Sequence, residues 1–131
     1  MNEVMGRASI SIVDDDESFR DALCGTLHAL GYSVRVFPSA EALLDSSTWM
    51  DADCLLVDAT MPGASGPELQ EKLSAEHGRI PIIFVTGYGG PLGEALRARV
   101  MAEGAVACLY KPFEEDELVA ALGRAIGTAT A

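Results

Sequence analysis

The chain has 131 residues, the length of one ordinary domain with short tails. Hydrophobic residues make up 49% of it and charged residues 22%, a composition that excludes a disordered chain. Acidic residues outnumber basic ones by 20 to 9, and the net charge of −11 argues against direct binding to nucleic acid or to an anionic membrane. Because the apolar runs are short, no membrane-spanning segment is predicted.

Strands and helices are predicted to alternate along the whole chain. The predicted strands, all short apolar runs, cover residues 10–13, 33–37, 54–57, 82–85 and 106–109. A helix is predicted after each strand, five in all, and this alternation is typical of right-handed parallel βαβ units. Continuous apolar strands indicate a sheet covered on both faces. We therefore predict a doubly wound α/β domain over residues 8–126, with tails at 1–7 and 127–131.

Single residues mark where the predicted helices begin and end. Ser39 is expected to cap the second helix, and Pro67 suits the first turn of the third. Gly31 and Gly104 are expected to end the first and fourth helices, and a glycine-rich turn at 87–91 to precede the fourth. The acidic run at 114–117 is expected to be the start of the fifth helix, where negative charge is favourable.

The cysteines and the first residues bear on the cellular compartment. Cys24, Cys54 and Cys108 are odd in number and lack metal-binding spacing, so reduced thiols in a cytoplasmic protein are expected. Residues 1–7 lack the basic and apolar segments of a secretion signal. The two histidines, His28 and His77, have no partner at ligand spacing and are expected to be surface or structural residues.

Polar side chains collect where four of the predicted strands end. Asp14 and Asp15 follow the first strand, Asp58 the third, Thr86 the fourth and Lys111 the fifth. Open α/β sheets bind ligands beyond the carboxyl ends of their strands, so these side chains are expected to share one edge. Clustered carboxylates repel one another, and a bound Mg²⁺ ion would relieve this repulsion. Mg²⁺ commonly binds one or two carboxylates together with a phosphate group, which fits this cluster. The alternative for residues 14–17, a solvated turn or helix start, stays open.

Four segments resemble the receiver domain of two-component response regulators, in particular those of the nitrogen-fixation and nodulation type. They are residues 12–16, 56–66, 85–87 and 110–113. The resemblance covers about residues 8–126. It implies a flavodoxin-like (βα)5 fold with strand order 2-1-3-4-5.

The resemblance also implies a role for each strand-end residue. Asp58 would be the phosphoacceptor, Lys111 would pair with Asp58 and then with the phosphoryl oxygens, and Thr86 would donate its hydroxyl to a phosphoryl oxygen. Mg²⁺ would be held by Asp14, Asp15, Asp58 and the backbone carbonyl of Thr60. The Lys111–Pro112 bond would be cis.

The function implied is a phosphorylation-dependent signalling switch. Its partner would be a sensor histidine kinase or a phosphotransfer protein, and it would catalyse its own phosphotransfer and dephosphorylation without being an enzyme in the usual sense. A homodimer through the fourth helix and the fifth strand is a further expectation.

Three features bear on how such a switch would work. Cys108 stands where the family has Tyr or Phe, and its expected role is that of a small buried strand residue. The segment between Thr86 and Gly104 is about three residues longer than in relatives, with the extra length expected near 89–93, ahead of the fourth helix. Thr60 and Tyr88 stand where receivers control the lifetime of the phosphorylated state, and the Tyr88 ring is expected to shield it.

Other functions remain open at this point. Asp14 and Asp16 fit the Asp-x-Asp pattern of a Mg²⁺-dependent phosphatase with an aspartate nucleophile, although the chain leaves no room for a cap domain. A flavodoxin-like nucleotide binder would need a phosphate loop where this chain has acids. A receiver that serves only as an interaction module, without phosphorylation, is the third alternative.

Overall fold

A computed structural model describes residues 8–46, 51–59, 80–87 and 90–127. The strands are β1 (Ser9–Val13), β2 (Ser33–Phe37), β3 (Cys54–Asp58), β4 (Ile82–Thr86) and β5 (Ala107–Tyr110). The helices are α1 (Glu17–Ala29), α2 (Ala40–Ser46), α3 (Gly90–Ala102) and α4 (Glu115–Ile126). The third predicted helix, with Pro67, lies outside the described residues, so α3 is the fourth predicted helix and α4 the fifth.

All five strands are parallel and form one sheet in the order β2-β1-β3-β4-β5. This order confirms the predicted doubly wound, flavodoxin-like fold. At the centre of the sheet Ile12 pairs with Val36 on one side and Leu56 on the other. Strands β3 and β4 are buried along their whole length, whereas the edge strand β2 is only partly covered.

Apolar side chains pack on both faces of the sheet, as the continuous apolar strands predict. On one face Val13, Val57 and Phe84 pack with α2 and α3 through Leu43 and Val100. On the other face a second cluster joins the sheet to α1 and α4; it includes Ile12, Leu56, Ile83, Leu23, Leu27, Leu118 and Leu122. The alternation of strand side chains between the two faces thus gives each layer of helices its own core.

Several helix ends form as predicted. The Ser39 hydroxyl accepts the backbone N–H of Ala42 at 3.0 Å, which caps α2. Gly31 and Gly104 follow α1 and α3 with φ of 100° and 107°, in the left-handed region that glycine tolerates best. The acidic run places Glu115, Asp116 and Glu117 in the first turn of α4.

The start of α3 differs from the prediction. Residues Gly90–Gly93 form the first turn of the helix, where we expected a turn at 87–91 and extra length ahead of the helix. Pro91 suits this position because its ring presets a helical φ and its missing N–H would have had no helical partner there. Helix α3 therefore begins inside the segment expected to be a turn, and the extra length relative to relatives stays a prediction.

The three cysteines are free thiols, with Cys54 and Cys108 buried and Cys24 half-buried. The buried position of Cys108, 5% exposed, agrees with the role expected of it. Within the described ranges, no helix combines the length and the apolar character that crossing a membrane requires.

Candidate functional site

The carboxyl ends of the strands meet at one edge of the sheet and carry the predicted site residues. Asp14 comes directly after β1, Asp58 and Thr86 are the last residues of β3 and β4, and Lys111 follows β5. The strand order changes direction between β1 and β3, because β2 lies beyond β1 while β4 and β5 lie beyond β3. A crevice forms at such a point in open α/β sheets, and Asp14 and Asp58 stand at it.

Three carboxylates converge at this crevice. Each of Asp14, Asp15 and Asp58 offers an oxygen, and these oxygens lie within 4.8 Å of one another. Asp14 is 1% exposed and Asp58 6%, while Asp15 is exposed to solvent. The cluster combines two buried anionic groups with one at the surface, so a ligand can approach from the Asp15 side.

The Lys111 ammonium group bridges the two buried carboxylates. Its Nζ lies 2.9 Å from Asp14 Oδ2 and 3.4 Å from Asp58 Oδ2. The backbone N–H of Lys111 donates to the Thr86 carbonyl at 2.8 Å, which ties the start of this loop to the end of β4. The Lys111–Pro112 peptide bond is cis, as the resemblance implied.

Hydrogen bonds hold Asp14 in place at both its side chain and its backbone. Oδ1 accepts a hydrogen bond from the backbone N–H of Asp16 at 2.9 Å, and Oδ2 accepts one from the Lys111 ammonium group, also at 2.9 Å. The Arg20 guanidinium donates to the Asp14 carbonyl at 2.8 Å. The Asp14 N–H donates to the Phe37 carbonyl at 3.1 Å, which links the site to β2. The carboxylate orientation is therefore set by α1 and by the sheet together.

Burial and charge shift the ionisation of this group of residues. Burial raises the pKa of Asp14, and the nearby Asp58 charge adds to this, while the Asp16 N–H and Lys111 oppose it. Burial alone would lower the pKa of Lys111, but its hydrogen bond to Asp14 and the charges of Asp58 and Asp14 raise it above its usual value. The lysine is thus held as an ammonium group.

The donor set suits a divalent cation. Three carboxylates and one ammonium leave two uncompensated negative charges at the cluster. Carboxylate oxygens are the ligands that Mg²⁺ prefers, and the exposed side of the cluster leaves room for the waters that it retains. Asp14, Asp15 and Asp58 therefore fit a magnesium ion on their chemistry and spacing.

The acidic run after β1 divides between two uses. Asp14 and Asp15 turn toward the crevice, whereas the Asp16 carboxylate caps α1 by accepting the Phe19 N–H at 3.1 Å. Glu17 then lies in the first turn of the helix. Asp14 and Asp15 thus belong to the carboxylate cluster, whereas Asp16 and Glu17 belong to the helix start.

The other predicted site residues are placed as follows. Thr86 is fully buried at the end of β4, one strand from Asp58. Thr60 and Tyr88 lie outside the described residues, so the predictions made for them stay predictions. His28 is exposed, near Cys24, and lies on α1 away from the residues of the cluster.

Two residues that the sequence patterns do not single out, Phe19 and Arg20, contact the site. The Lys111 Nζ lies 4.0 Å from the centroid of the Phe19 ring, and Arg20 holds the Asp14 carbonyl as described. In the sequence both read as ordinary positions of an amphipathic helix, and no spacing rule marks them.

Comparison with known proteins finds related sequences and folds. The family model described as the response regulator receiver domain matches residues 10–123. The transcriptional regulatory protein FixJ of Bradyrhizobium diazoefficiens is 37% identical over 120 residues, which is 92% of this chain and 57% of that protein. Nodulation protein W of the same species is also 37% identical over 120 residues, 92% of this chain and 52% of that protein.

The fold agrees with solved structures as well. The crystal structure of FixJ-N has a TM-score of 0.83 and 34% sequence identity, and the match covers 97% of this chain and 99% of that one. The chain spans about half the length of the curated relatives it matches.

Proposed function

Because the chain belongs to the response regulator receiver family, we propose that it is a phosphorylation-dependent switch in which Asp58 accepts a phosphoryl group. The observation that carries this proposal is the convergence of Asp14, Asp15 and Asp58 within 4.8 Å, with Lys111 bridging the two buried members. Carboxylates this close together repel one another and lower the stability of the fold unless the cluster binds a cation.

The contacts favour Asp58 over Asp14 as the nucleophile. Asp14 accepts a hydrogen bond at each carboxylate oxygen, both at 2.9 Å, and is held from its backbone by Arg20. Lys111 lies farther from Asp58, at 3.4 Å, so that contact is weaker. Asp58 also ends the central strand β3, where it pairs with Val85 of β4. A carboxylate that Lys111 contacts less closely than it contacts Asp14, at the carboxyl edge of the sheet, suits in-line attack.

In the proposed reaction an Asp58 oxygen attacks the phosphorus atom of the donor. The bond from phosphorus to the donor's imidazole nitrogen, or to the acyl oxygen of a small donor, breaks and the electron pair leaves with the donor. The Lys111 ammonium then contacts the phosphoryl oxygens, and Thr86 donates its hydroxyl to one of them. Asp14, Asp15 and Asp58 would hold Mg²⁺, which would supply positive charge beside the transferring group.

We further propose a sensor histidine kinase or a phosphotransfer protein as the donor, as for receivers in general. The backbone carbonyl of Thr60 is proposed as a further magnesium ligand. A homodimer through α3 and β5, and the cytoplasmic location, stay predictions. Analytical ultracentrifugation of phosphorylated and unphosphorylated protein tests the dimer.

The experiment is incubation with acetyl phosphate and Mg²⁺, followed by intact mass measurement. We expect the wild-type chain to gain one phosphoryl group, and Asp58→Asn, which is nearly isosteric, to gain none while it keeps its fold by circular dichroism. Asp53→Asn is the matched control, because Asp53 is an exposed aspartate at the opposite end of the same strand. A phosphorylated Asp58→Asn protein would reject the assignment of the nucleophile.

The same experiment tests two of the alternatives, the interaction module and the phosphatase. A wild-type chain that gains no phosphoryl group indicates the interaction module. Steady release of inorganic phosphate from acyl phosphates without dependence on Asp58 indicates a phosphatase with its nucleophile at Asp14. The use of Asp16 as the cap of α1 counts against that phosphatase, because the second carboxylate of its motif is engaged elsewhere.

A further inference from the structure

The Lys111 ammonium rests on an aromatic ring as well as between two carboxylates. Its Nζ lies 4.0 Å from the centroid of the Phe19 ring, a distance at which a cation is attracted to the ring face. Phe19 is itself braced by Phe113, whose ring meets it edge to face with centroids 6.1 Å apart and planes at 84°. Both rings are half-buried and pack against the core that lies under α1 and α4.

The first turn of α1 holds the ring at this place. The Phe19 N–H donates to the Asp16 carboxylate, which caps the helix, and the next residue, Arg20, donates to the Asp14 carbonyl. These two hydrogen bonds link the position of the ring to that of Asp14. A shift of the ring would require the helix start to move.

The ring differs from the other two partners of the ammonium group. Asp14 and Asp58 accept hydrogen bonds from Lys111, whereas the face of a phenylalanine ring attracts the charge without offering an oxygen. A lysine side chain is long and flexible, and an apolar wall beneath it reduces the positions that it can adopt. The wall does not compete with a phosphoryl oxygen for the ammonium protons.

We propose that Phe19 is a positioning residue for phosphotransfer, an inference that rests on the function proposed for Asp58. Its ring face holds the Lys111 ammonium over the crevice both before transfer, when Lys111 pairs with the carboxylates, and after it, when Lys111 pairs with the phosphoryl oxygens. In this proposal Phe19 acts only through Lys111. It contacts neither the phosphoryl donor nor the carboxylate oxygens that would hold the metal.

The test compares variants that keep or remove the ring face. Phe19→Leu keeps an apolar side chain but loses the ring, Phe19→Tyr keeps the ring, and Phe113→Leu removes only the brace. We expect the rate of phosphorylation by acetyl phosphate at saturating Mg²⁺ to fall about 5-fold in Phe19→Leu, equivalent to about 1 kcal/mol. It should fall less in Phe113→Leu, and Phe19→Tyr should restore most of the rate.

A second readout is independent of phosphorylation. Protons above an aromatic face resonate upfield, so the terminal methylene protons of Lys111 should be shifted upfield in wild-type and Phe19→Tyr protein and should lose this shift in Phe19→Leu. Thermal unfolding of each variant shows whether it is folded at the assay temperature. A variant that is merely less stable would not move the Lys111 resonances while folded.

The outcomes separate this inference from the proposed function. Equal phosphorylation rates in wild-type and Phe19→Leu protein overturn the positioning role while the function of Asp58 stands. An unshifted Lys111 resonance in the wild-type protein also overturns it. A wild-type chain that gains no phosphoryl group overturns the proposed function and, with it, this inference.

Discussion

The two ends of the central strands carry aspartates in opposite surroundings. At the carboxyl end Asp14 and Asp58 are 1% and 6% exposed, and both lie against Lys111. At the amino end Asp53 is exposed, and its Oδ2 accepts the backbone N–H of Ser9 at 2.8 Å. Asp14 and Asp53 both accept a hydrogen bond from a backbone N–H. This kind of hydrogen bond therefore does not distinguish the aspartates of the carboxyl end from Asp53 at the amino end.

Burial is what distinguishes the two ends. An exposed carboxylate is stabilised by water and needs no cation, whereas a buried one must be paired or bind a metal. The parallel sheet creates the difference, because the strand order changes direction between β1 and β3 and leaves a crevice at the carboxyl edge. The same residue type is therefore hydrated at one end of the sheet and buried beside a cation at the other.

The largest effect is expected when the cation is removed from the carboxyl end. Lys111→Met leaves Asp14 and Asp58 buried without their shared partner, and we expect it to lower the free energy of unfolding by about 2–3 kcal/mol at pH 7 without Mg²⁺. Arg99→Met, which removes the same charge from an exposed position of α3, should stay within about 0.5 kcal/mol. Urea unfolding measures both, and similar losses would show that the Lys111 charge contributes no more to stability than an exposed charge does.

Magnesium should stabilise the protein through the carboxyl end alone. At a concentration ten times its dissociation constant, Mg²⁺ should add about 1.4 kcal/mol to the free energy of unfolding, a rise of several degrees in Tm. Asp15→Ala should abolish this rise, whereas Asp53→Ala should keep it in full. Differential scanning calorimetry at increasing Mg²⁺ concentration measures the Tm of each variant. A rise in Tm that persists in Asp15→Ala would place the ion elsewhere.

A smaller effect follows from the raised pKa of Asp14. Because burial raises this pKa, the folded protein holds the proton more tightly than the unfolded chain does. The contribution of Asp14 to stability is therefore present at acidic pH and is lost as pH rises through its folded pKa. Without Mg²⁺, Asp14→Asn should be more stable than the wild type at pH 7, and this gain should shrink as the pH is lowered. A gain that grows in acid would contradict this sign.

The smallest effect is expected at the amino end. Asp53→Ala removes an exposed hydrogen bond to the Ser9 N–H and should cost about 0.5 kcal/mol. Phosphorylation by acetyl phosphate should proceed at the wild-type rate in this variant. A loss of stability as large as that of Lys111→Met would show that the exposed carboxylate is as important to the fold as the buried pair.

The sheet and the main site residues could be predicted from the sequence for one physical reason. Four of the five strands are short, largely apolar runs that end in or are followed by a polar residue, and parallel strands bring such residues to the same edge. Asp14, Asp58, Thr86 and Lys111 follow from that rule alone. The division of the acidic run between site and helix cap does not follow from it, because the sequence does not show which way each carboxylate turns.

Two features required the structure because they depend on contacts between distant segments. Phe19 reads as one more apolar position of α1, and nothing near it in the sequence indicates that Lys111 lies on its ring. The prediction for the start of α3 was wrong because glycine and proline together suggest a turn. Pro91, however, also fits the first turn of a helix. There the Tyr110 hydroxyl donates to the Gly93 carbonyl at 3.4 Å, a contact that links this turn to β5.

The partly covered edge strand β2 has a consequence for how the protein behaves in concentrated solution. Of the described strands it pairs with β1 alone, so its outer backbone groups can join the edge of another molecule, and Val36 on it is 41% exposed. At neutral pH the net charge of −11 keeps molecules apart. In acid, as carboxylates gain protons, that repulsion fades, and we expect edge-to-edge aggregation to begin at β2 before the domain unfolds.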